Sequence, residues 1–216
     1  KEVRKKDRTR TEDGFDVRTW GVSADLVKET AAGTWAYGAE YLRDGVDSFR
    51  RAYRADGSPG PVGIQGPVAD DTAYHTAAVY VQDRLRLSER WELTFGARAT
   101  YAKADIGRYE DFRTTPHTPA SMTGDWFDLA GHLRLTYRVI EERWLLYASL
   151  SQAYRAPGLS DLTRFDVSRS TDVEVPSPSL DPERFLCGEI SSRVTAEPFR
   201  WHAAYFHTRI RDLIVR

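Results

Sequence analysis

Trp126-Phe127-Asp128-Leu129-Ala130-Gly131-His132-Leu133-Arg134-Leu135-Thr136-Tyr137-Arg138-Val139 is the stretch on which the fold turns. Phe127, Leu129, Gly131, Leu133, Leu135, Tyr137 and Val139 alternate with Asp128, Ala130, His132, Arg134, Thr136 and Arg138. Successive side chains of an extended chain point to opposite faces, so this stretch predicts a β-strand with one greasy and one wet face. The pattern recurs with Trp144, Leu146, Ala148 and Leu150 against Tyr147, Ser149 and Ser151. It recurs again with Trp91, Leu93, Phe95, Ala97, Ala99 and Tyr101 against Glu92, Thr94, Gly96, Arg98 and Thr100, and more briefly from Trp35 through Tyr37 and Ala39 to Tyr41. Worked outward along the chain, it predicts about eight strands, near residues 15–28, 33–44, 73–87, 90–103, 125–140, 143–155, 183–196 and 199–212, and no helix of period 3.6.

The connections alternate in length. Short turns fall at 30–33, 88–90, 141–143 and 196–198, and long connections rich in Gly, Pro and Asp fall near 45–72, 104–124 and 156–182. Short turns on one side and long loops on the other are the habit of an up-and-down transmembrane β-barrel. Trp35, Trp91, Trp144 and Trp201 each follow a short turn by a few residues and share the apolar face. An indole suits a membrane-water boundary, because its ring is apolar and its N–H still reaches water or headgroups. The core of a soluble β-sandwich would explain one such tryptophan, but repetition at one place in four hairpins favours a girdle. Trp126 and Phe127, at the other end of their strand, are candidates for the opposite belt. Asp83 falls by parity among Val79, Val81, Leu85 and Leu87; a carboxylate facing lipid near an interface and one turned inward by a bulge both fit.

Composition agrees with this reading without compelling it. The 216 residues are 41% hydrophobic and 29% charged, with a mean hydropathy of -0.55. No stretch approaches the ~20 apolar residues that a membrane-spanning helix needs, whereas alternating strands average to a hydrophilic composition. A formal net charge of -1 gives no sign of a nucleic-acid partner. Cys187, the single cysteine, allows neither an intramolecular disulfide nor a Cys-rich metal site. The basic start from Lys1 to Arg8 has no apolar stretch behind it and does not read as a secretion signal; a signal already removed and a partial chain both fit.

Several segments resemble TonB-dependent outer-membrane receptors. Val81-Gln82-Asp83-Arg84 followed by Leu93-Thr94-Phe95-Gly96-Ala97-Arg98 is similar to one hairpin of that family. Ser151-Gln152-Ala153-Tyr154-Arg155-Ala156-Pro157 resembles its Tyr/Phe-Arg-Ala-Pro box, and Ser177-Pro178-Ser179-Leu180-Asp181-Pro182-Glu183 resembles the Asn-Pro-x-Leu-x-Pro-Glu stretch that follows. Glu189 matches a glutamate soon after, and Ile210-Arg211-Asp212-Leu213-Ile214 the end of the next hairpin. The resemblance runs from about residue 15 onward. It implies an all-β fold, an antiparallel segment of a larger barrel that holds an N-terminal plug and imports scarce nutrients such as ferric siderophores. Its expected partners are outer-membrane lipid, the plug, the remaining strands of the same barrel and, through the plug, TonB. Residues 1–216 carry no plug and no closing strands by this reading, so the chain is expected to be the middle of a barrel, inactive alone. A self-contained eight-stranded barrel with a structural or enzymatic role is the alternative.

No cofactor, catalytic group or metal site is expected. His75, His117, His132, His202 and His207 are not closely spaced, and no nucleophile elbow is present. Haem receptors of the family place a histidine ligand between the two boxes, so the lack of histidine in 158–176 disfavours haem and leaves an iron chelate as the default ligand. In the matched boxes, Tyr154, Arg155, Ala156, Pro157, Leu180, Pro182, Glu183 and Glu189 read as structural in preference to ligand-contacting. A proline at a strand end stops pairing, and Arg155 beside it is expected to fix the loop through carboxylates such as Asp161 or Glu183. Arg98, Arg134 and Arg138, on the wet face, are candidates for drawing in anions.

A sheet of this kind exposes unpaired edges in lipid, where each unsatisfied backbone group costs several kcal/mol. The isolated chain is therefore expected to aggregate when detergent is removed, as followed by size-exclusion chromatography with light scattering. A monodisperse monomer in plain buffer would overturn the membrane assignment.

Overall fold

The computed structural model describes residues 2–6, 9–111, 113–164, 166–167, 173–174, 177 and 179–215. In chain order the elements are β1 (Glu2–Lys6), β2 (Thr9–Glu29), β3 (Gly33–Tyr53), β4 (Pro59–Val62), β5 (Asp70–Arg86), β6 (Trp91–Asp111), β7 (Thr118–Ile140), β8 (Trp144–Arg155), α1 (Leu159–Thr163), β9 (Asp166–Val167), β10 (Val173–Glu174), β11 (Glu183–Ala196) and β12 (Phe199–Arg211). Among the described residues ten strands make one sheet in the order β1-β2-β3-β5-β6-β7-β8-β11-β12, with β4 added to β3, while β9 pairs with β10 in a separate two-stranded sheet. The main strands pair antiparallel with their chain neighbours, which is the up-and-down meander expected.

All eight expected strands are present, and several run on beyond their expected ends. β3 continues to Tyr53, β6 continues to Asp111, and β7 begins at Thr118. The ladder persists there, with Tyr53 opposite Arg10 and Asp111 opposite Thr118. In these extensions charged residues occupy both faces, as in Asp47, Arg50 and Arg51, so alternation fades although backbone pairing does not. A helix also appears where none was expected. α1 is five residues long, too short to show a period, and is capped by the Asp161 carboxylate accepting from the Gly158 N–H at 2.9 Å.

The register fixes the faces. Trp91 lies opposite Tyr137, Leu93 opposite Leu135 and Phe95 opposite Leu133, and all of these share the outward face. Trp35, Trp91 and Trp201 stand exposed near the short turns. Trp91 packs on Tyr137 with ring centroids 4.5 Å apart, and the Trp144 indole donates to Ser192 Oγ at 3.0 Å. Near the long connections, Trp20 and Tyr41 pack at 5.2 Å and Phe127 is 63% exposed. Trp126 does not join this belt. It lies on the opposite, lumenal face, half-buried, with its N–H donated to the Leu180 carbonyl at 3.1 Å.

Asp83 keeps its place on the outward face, since pairing runs unbroken through it to Trp35 on one side and Phe95 on the other. No bulge turns it. The side chain is only 2% exposed, and its Oδ1 has no hydrogen-bond partner. The densest packing lies instead on the lumenal face, where Ala69, Ala104, Ile106, Tyr109 and Leu162 form a buried cluster against Tyr74, Met122 and Trp126.

With the other five tryptophans replaced by phenylalanine, the fluorescence of Trp91 or Trp144 in the assembled, lipid-reconstituted protein is expected to fall when lipid tails carry bromine. Unchanged emission would place both rings away from lipid.

Candidate functional site

The sequence boxes converge at the long-connection end, beyond the apolar band. β8 and β11 pair up to Arg155 opposite Glu183, and there Arg155 closes the ladder with its side chain as well. Its Nε donates to Glu183 Oε2 at 2.5 Å and its NH1 to Asp161 Oδ2 at 2.8 Å. Glu183 Oε1 in turn accepts the Ile214 N–H at 2.8 Å. One guanidinium thus ties β8, α1, β11 and the segment after β12, in the planar two-donor geometry that suits paired carboxylates. The hydrogen bond from Arg155, helped by that from Ile214, holds the Glu183 carboxyl below the usual glutamate range. The Glu183 and Asp161 bonds hold the guanidinium in its charged form.

The segment after Arg155 then folds onto the lumenal face. Pro157 is buried and its carbonyl accepts from the Tyr74 hydroxyl at 3.0 Å. Leu162 and Thr163 are fully buried. Gln65, 1% exposed, ties its own connection to two other segments: its Nε2 donates to the Thr163 carbonyl at 2.8 Å, and its Oε1 accepts the N–H of Glu110, near the end of β6, at 2.8 Å. The Ala69 N–H reaches Thr163 Oγ1 at 3.0 Å. Gly66 must be glycine, because a Cβ there would sit 2.4 Å from Ser48 Oγ and 2.5 Å from the Phe49 carbonyl oxygen. Nothing in the alternation of the sequence singles out Gln65, Thr163 or Tyr74, since contacts between loops carry no period.

Of the residues of the matched boxes, Arg155, Pro157, Leu180 and Glu183 share in this junction, with Ala156 half-buried and Pro182 buried beside them. Pro178 lies outside the described residues. Tyr154 points to the outward face, where its hydroxyl is buried without a hydrogen-bond partner. Glu189 sits farther down the lumenal wall and accepts from the Tyr147 hydroxyl at 3.1 Å. The eight residues therefore make one junction and two separate positions.

Along that wall two arginines are paired with glutamates of other strands. Arg98 reaches past Ala78 of β5 to bond Glu40 of β3, and Arg138 bonds Glu92 at 2.7 Å. Arg134 stacks over the Tyr147 ring at 5.0 Å, at the edge of a cavity of about 510 Å³ that also meets Arg193 and His202. Of the three arginines proposed to attract anions, two are thus neutralised by glutamates. His202 contacts Ser191 Oγ at 2.7 Å, His75 contacts the Tyr41 hydroxyl at 2.7 Å and His117 contacts Glu110 at 2.8 Å. Among the described residues no group of three or more His, Cys, Asp or Glu side chains is arranged to hold a metal ion.

The family model for TonB dependent receptor-like β-barrels matches residues 3–216. The chain belongs to the TonB-dependent receptor family. Members of that family are receptors and transporters of the outer membrane and are not enzymes. No curated protein matches the chain. Among solved structures it is similar to the copper transporter OprC, with a TM-score of 0.75 and 16% identity over 95% of this chain and 31% of that one. It is also similar to a double mutant of the Serratia marcescens hemophore receptor HasR in complex with HasA and heme, with a TM-score of 0.72 and 19% identity over 94% of this chain and 34% of that one. The ferric yersiniabactin uptake receptor FyuA from Yersinia pestis matches with a TM-score of 0.65 and 13% identity over 95% of this chain and 30% of that one. The chain spans about a third of the length of each. At these identities the likeness shows the fold. The expectation that haem is disfavoured finds no support, since a receptor solved with heme is among these structures.

The junction makes a prediction about acid. A carboxyl whose pKa is lowered on folding contributes stability that is complete above its unfolded pKa, about 4.3 for glutamate, and is lost as pH falls through the lowered folded value. Amide hydrogen-exchange protection of residues 157–163 is therefore expected to fall below about pH 4.3, and Glu183→Gln is expected to lack this step. Arg155→Ala should weaken the same segment by ~1–3 kcal/mol, less than the ~3–5 kcal/mol of a fully buried pair, because the guanidinium is 44% exposed. Protection unchanged in both variants would remove the junction's role.

Proposed function

We propose that this chain is one arc of the barrel of a receptor that imports ferric siderophores or chemically similar metal chelates across the outer membrane, driven through TonB. The observation that carries this reading is the family match across residues 3–216 on an open antiparallel sheet. The described strands run in a linear order without closing, so further strands are needed to satisfy both edges in lipid. In this reading the paired charges of the lumenal wall face a plug domain, and TonB acts on that plug. The junction around Arg155 sets the outer loops in place and does not touch the ligand. A metal or metal chelate is the cargo of this reading because the similar structures include a copper transporter, a ferric yersiniabactin uptake receptor and a hemophore receptor solved with heme, so haem stays within the class.

Uptake tests this directly. Cells with and without the intact gene would be offered radiolabelled iron as a panel of siderophore complexes, together with copper and haem, with TonB present and absent. At least one chelate is expected to accumulate roughly tenfold less without the gene, and equally poorly without TonB. Equal accumulation across the whole panel would overturn the reading.

A further inference from the structure

On the lumenal wall, register sets Arg138 of β7, Leu145 of β8, Arg193 of β11 and His202 of β12 in one row, close to the turns that join these strands. Arg134 lies two rows farther from those turns, opposite Ser149, with Glu189 next in line. The cavity of about 510 Å³ between these rows is lined by Arg134, Thr136, Leu145, Tyr147, Arg193 and His202, with no carboxylate among the described residues that line it. Arg138 is taken by Glu92 at 2.7 Å. Arg134 and Arg193, by contrast, are exposed and make no ion pair among the described residues. Glu189 is engaged by the Tyr147 hydroxyl at 3.1 Å, and Glu141, Glu142 and Glu197 belong to the turns. Two uncompensated guanidiniums therefore share one lumenal hollow.

Tyr147 organises the hollow. Its ring lies under the Arg134 guanidinium at 5.0 Å, and an arginine stacked in this way keeps its N–H edge free for oxygens of a ligand. Its hydroxyl donates to Glu189, so at His202 Nε2 the available donor is Ser191 Oγ, 2.7 Å away. With Ser191 donating to Nε2, the imidazole proton sits on Nδ1, which has no partner among the described residues. Leu145 adds an apolar patch between the charges. Val194, beside Arg193 in the chain, lies opposite both Trp144 and Trp201 of the outward girdle. The hollow is therefore the lumenal counterpart of the girdle, at the short-turn mouth. Short turns of such barrels face the periplasm, so cargo leaving the lumen passes this mouth.

We propose that Arg134, Arg193 and His202 form a transfer site for an anionic metal chelate on its way out of the lumen. The planar donor forks of the two arginines take the negative oxygens of the chelate, and His202 Nδ1 supplies a further donor. Leu145 meets the apolar part of the ligand shell. Charges of one sign on a low-dielectric wall concentrate the opposite charge beside them, which raises the local amount of an anionic cargo. Exposure keeps the hold weak enough to release it, as passage through a pore requires. The proposal rests on the import reading above and adds a substrate class to it, chelates of net negative charge.

Transport by cells carrying the full-length receptor tests it with radiolabelled ferric citrate, a ferric tris-catecholate and haem as anionic probes, and with an uncharged ferric tris-hydroxamate and copper ion as controls. The native receptor is expected to import at least one anionic probe. The double variant Arg134→Gln/Arg193→Gln is expected to import that probe roughly tenfold more slowly, with surface binding in cells lacking TonB unchanged. Arg134→Lys/Arg193→Lys is expected to restore most of the rate. If the double variant reaches the membrane in reduced amount, Arg193→Gln alone, at an exposed position, is expected to show a smaller loss in the same direction. A native rate in the glutamine variants overturns the transfer site. Loss of surface binding, or entry of a large antibiotic that the native receptor excludes, means that the patch seats another part of the receptor and likewise overturns it. A native receptor that imports only the uncharged chelate or copper overturns the anionic class alone, whereas one that imports no probe overturns the import reading as well.

Discussion

The backbone ladder is the constraint from which the rest of this structure follows. Within lipid no water is present to satisfy an N–H or C=O, so each strand must be paired along its length with a neighbour. β3, β5 and β6 meet that demand on both sides along most of their length. Because pairing fixes which residues are opposite one another, it also fixes the outward aromatic face and the lumenal charged face, and no separate core is needed between layers. The sheet's stability is spread along hydrogen-bonded rows, with a compact apolar cluster lying above, where loops return to the wall.

Where the ladder fails, side chains take its place. Between β7 and β8 the Gln152 amide oxygen accepts a backbone N–H, and Arg184 of β11 bridges to Asp128 of β7 past the end of that pairing. At the top of β8, Arg155 and Glu183 continue as an ion pair what the backbone began as a strand pair. The loop that follows is held by Gln65 and Tyr74, so an outer connection otherwise lacking strand partners is fastened at both ends.

The legible part of the sequence was the part immersed in two contrasting solvents. Between Phe127 and Val139 one side of the strand meets lipid and the other the lumen, and alternation follows from that contrast. In residues 44–53 and 104–111 the lumenal side is covered by returning loops, with Val46, Ala104, Ile106 and Tyr109 buried, so the strands continue without the lipid-and-lumen contrast that marks them lower down. Trp126 and Phe127 show the limit well: neighbours in sequence, they were candidates for one belt, yet parity sends one to the lumen and the other outward. Asp83 could be placed by parity alone, but its burial between Trp35 and Phe95 follows from cross-strand neighbours that only register reveals. For the same reason the partners of Arg155 were foreseeable, being close in the chain or in a matched box, while Gln65 and Thr163, 98 residues apart, were not.

The contact from Arg98 to Glu40 passes over a whole strand, with the small Ala78 beneath it. Such a tie is sensitive to both pairings of β5 at once. A slip of one residue on either side would send a charged group toward lipid and an aromatic ring toward the lumen, since side-chain direction reverses with each residue. The pair thus works as a checksum on assembly, admitting three neighbouring strands as a correctly aligned set and making misaligned insertion costly before the barrel closes.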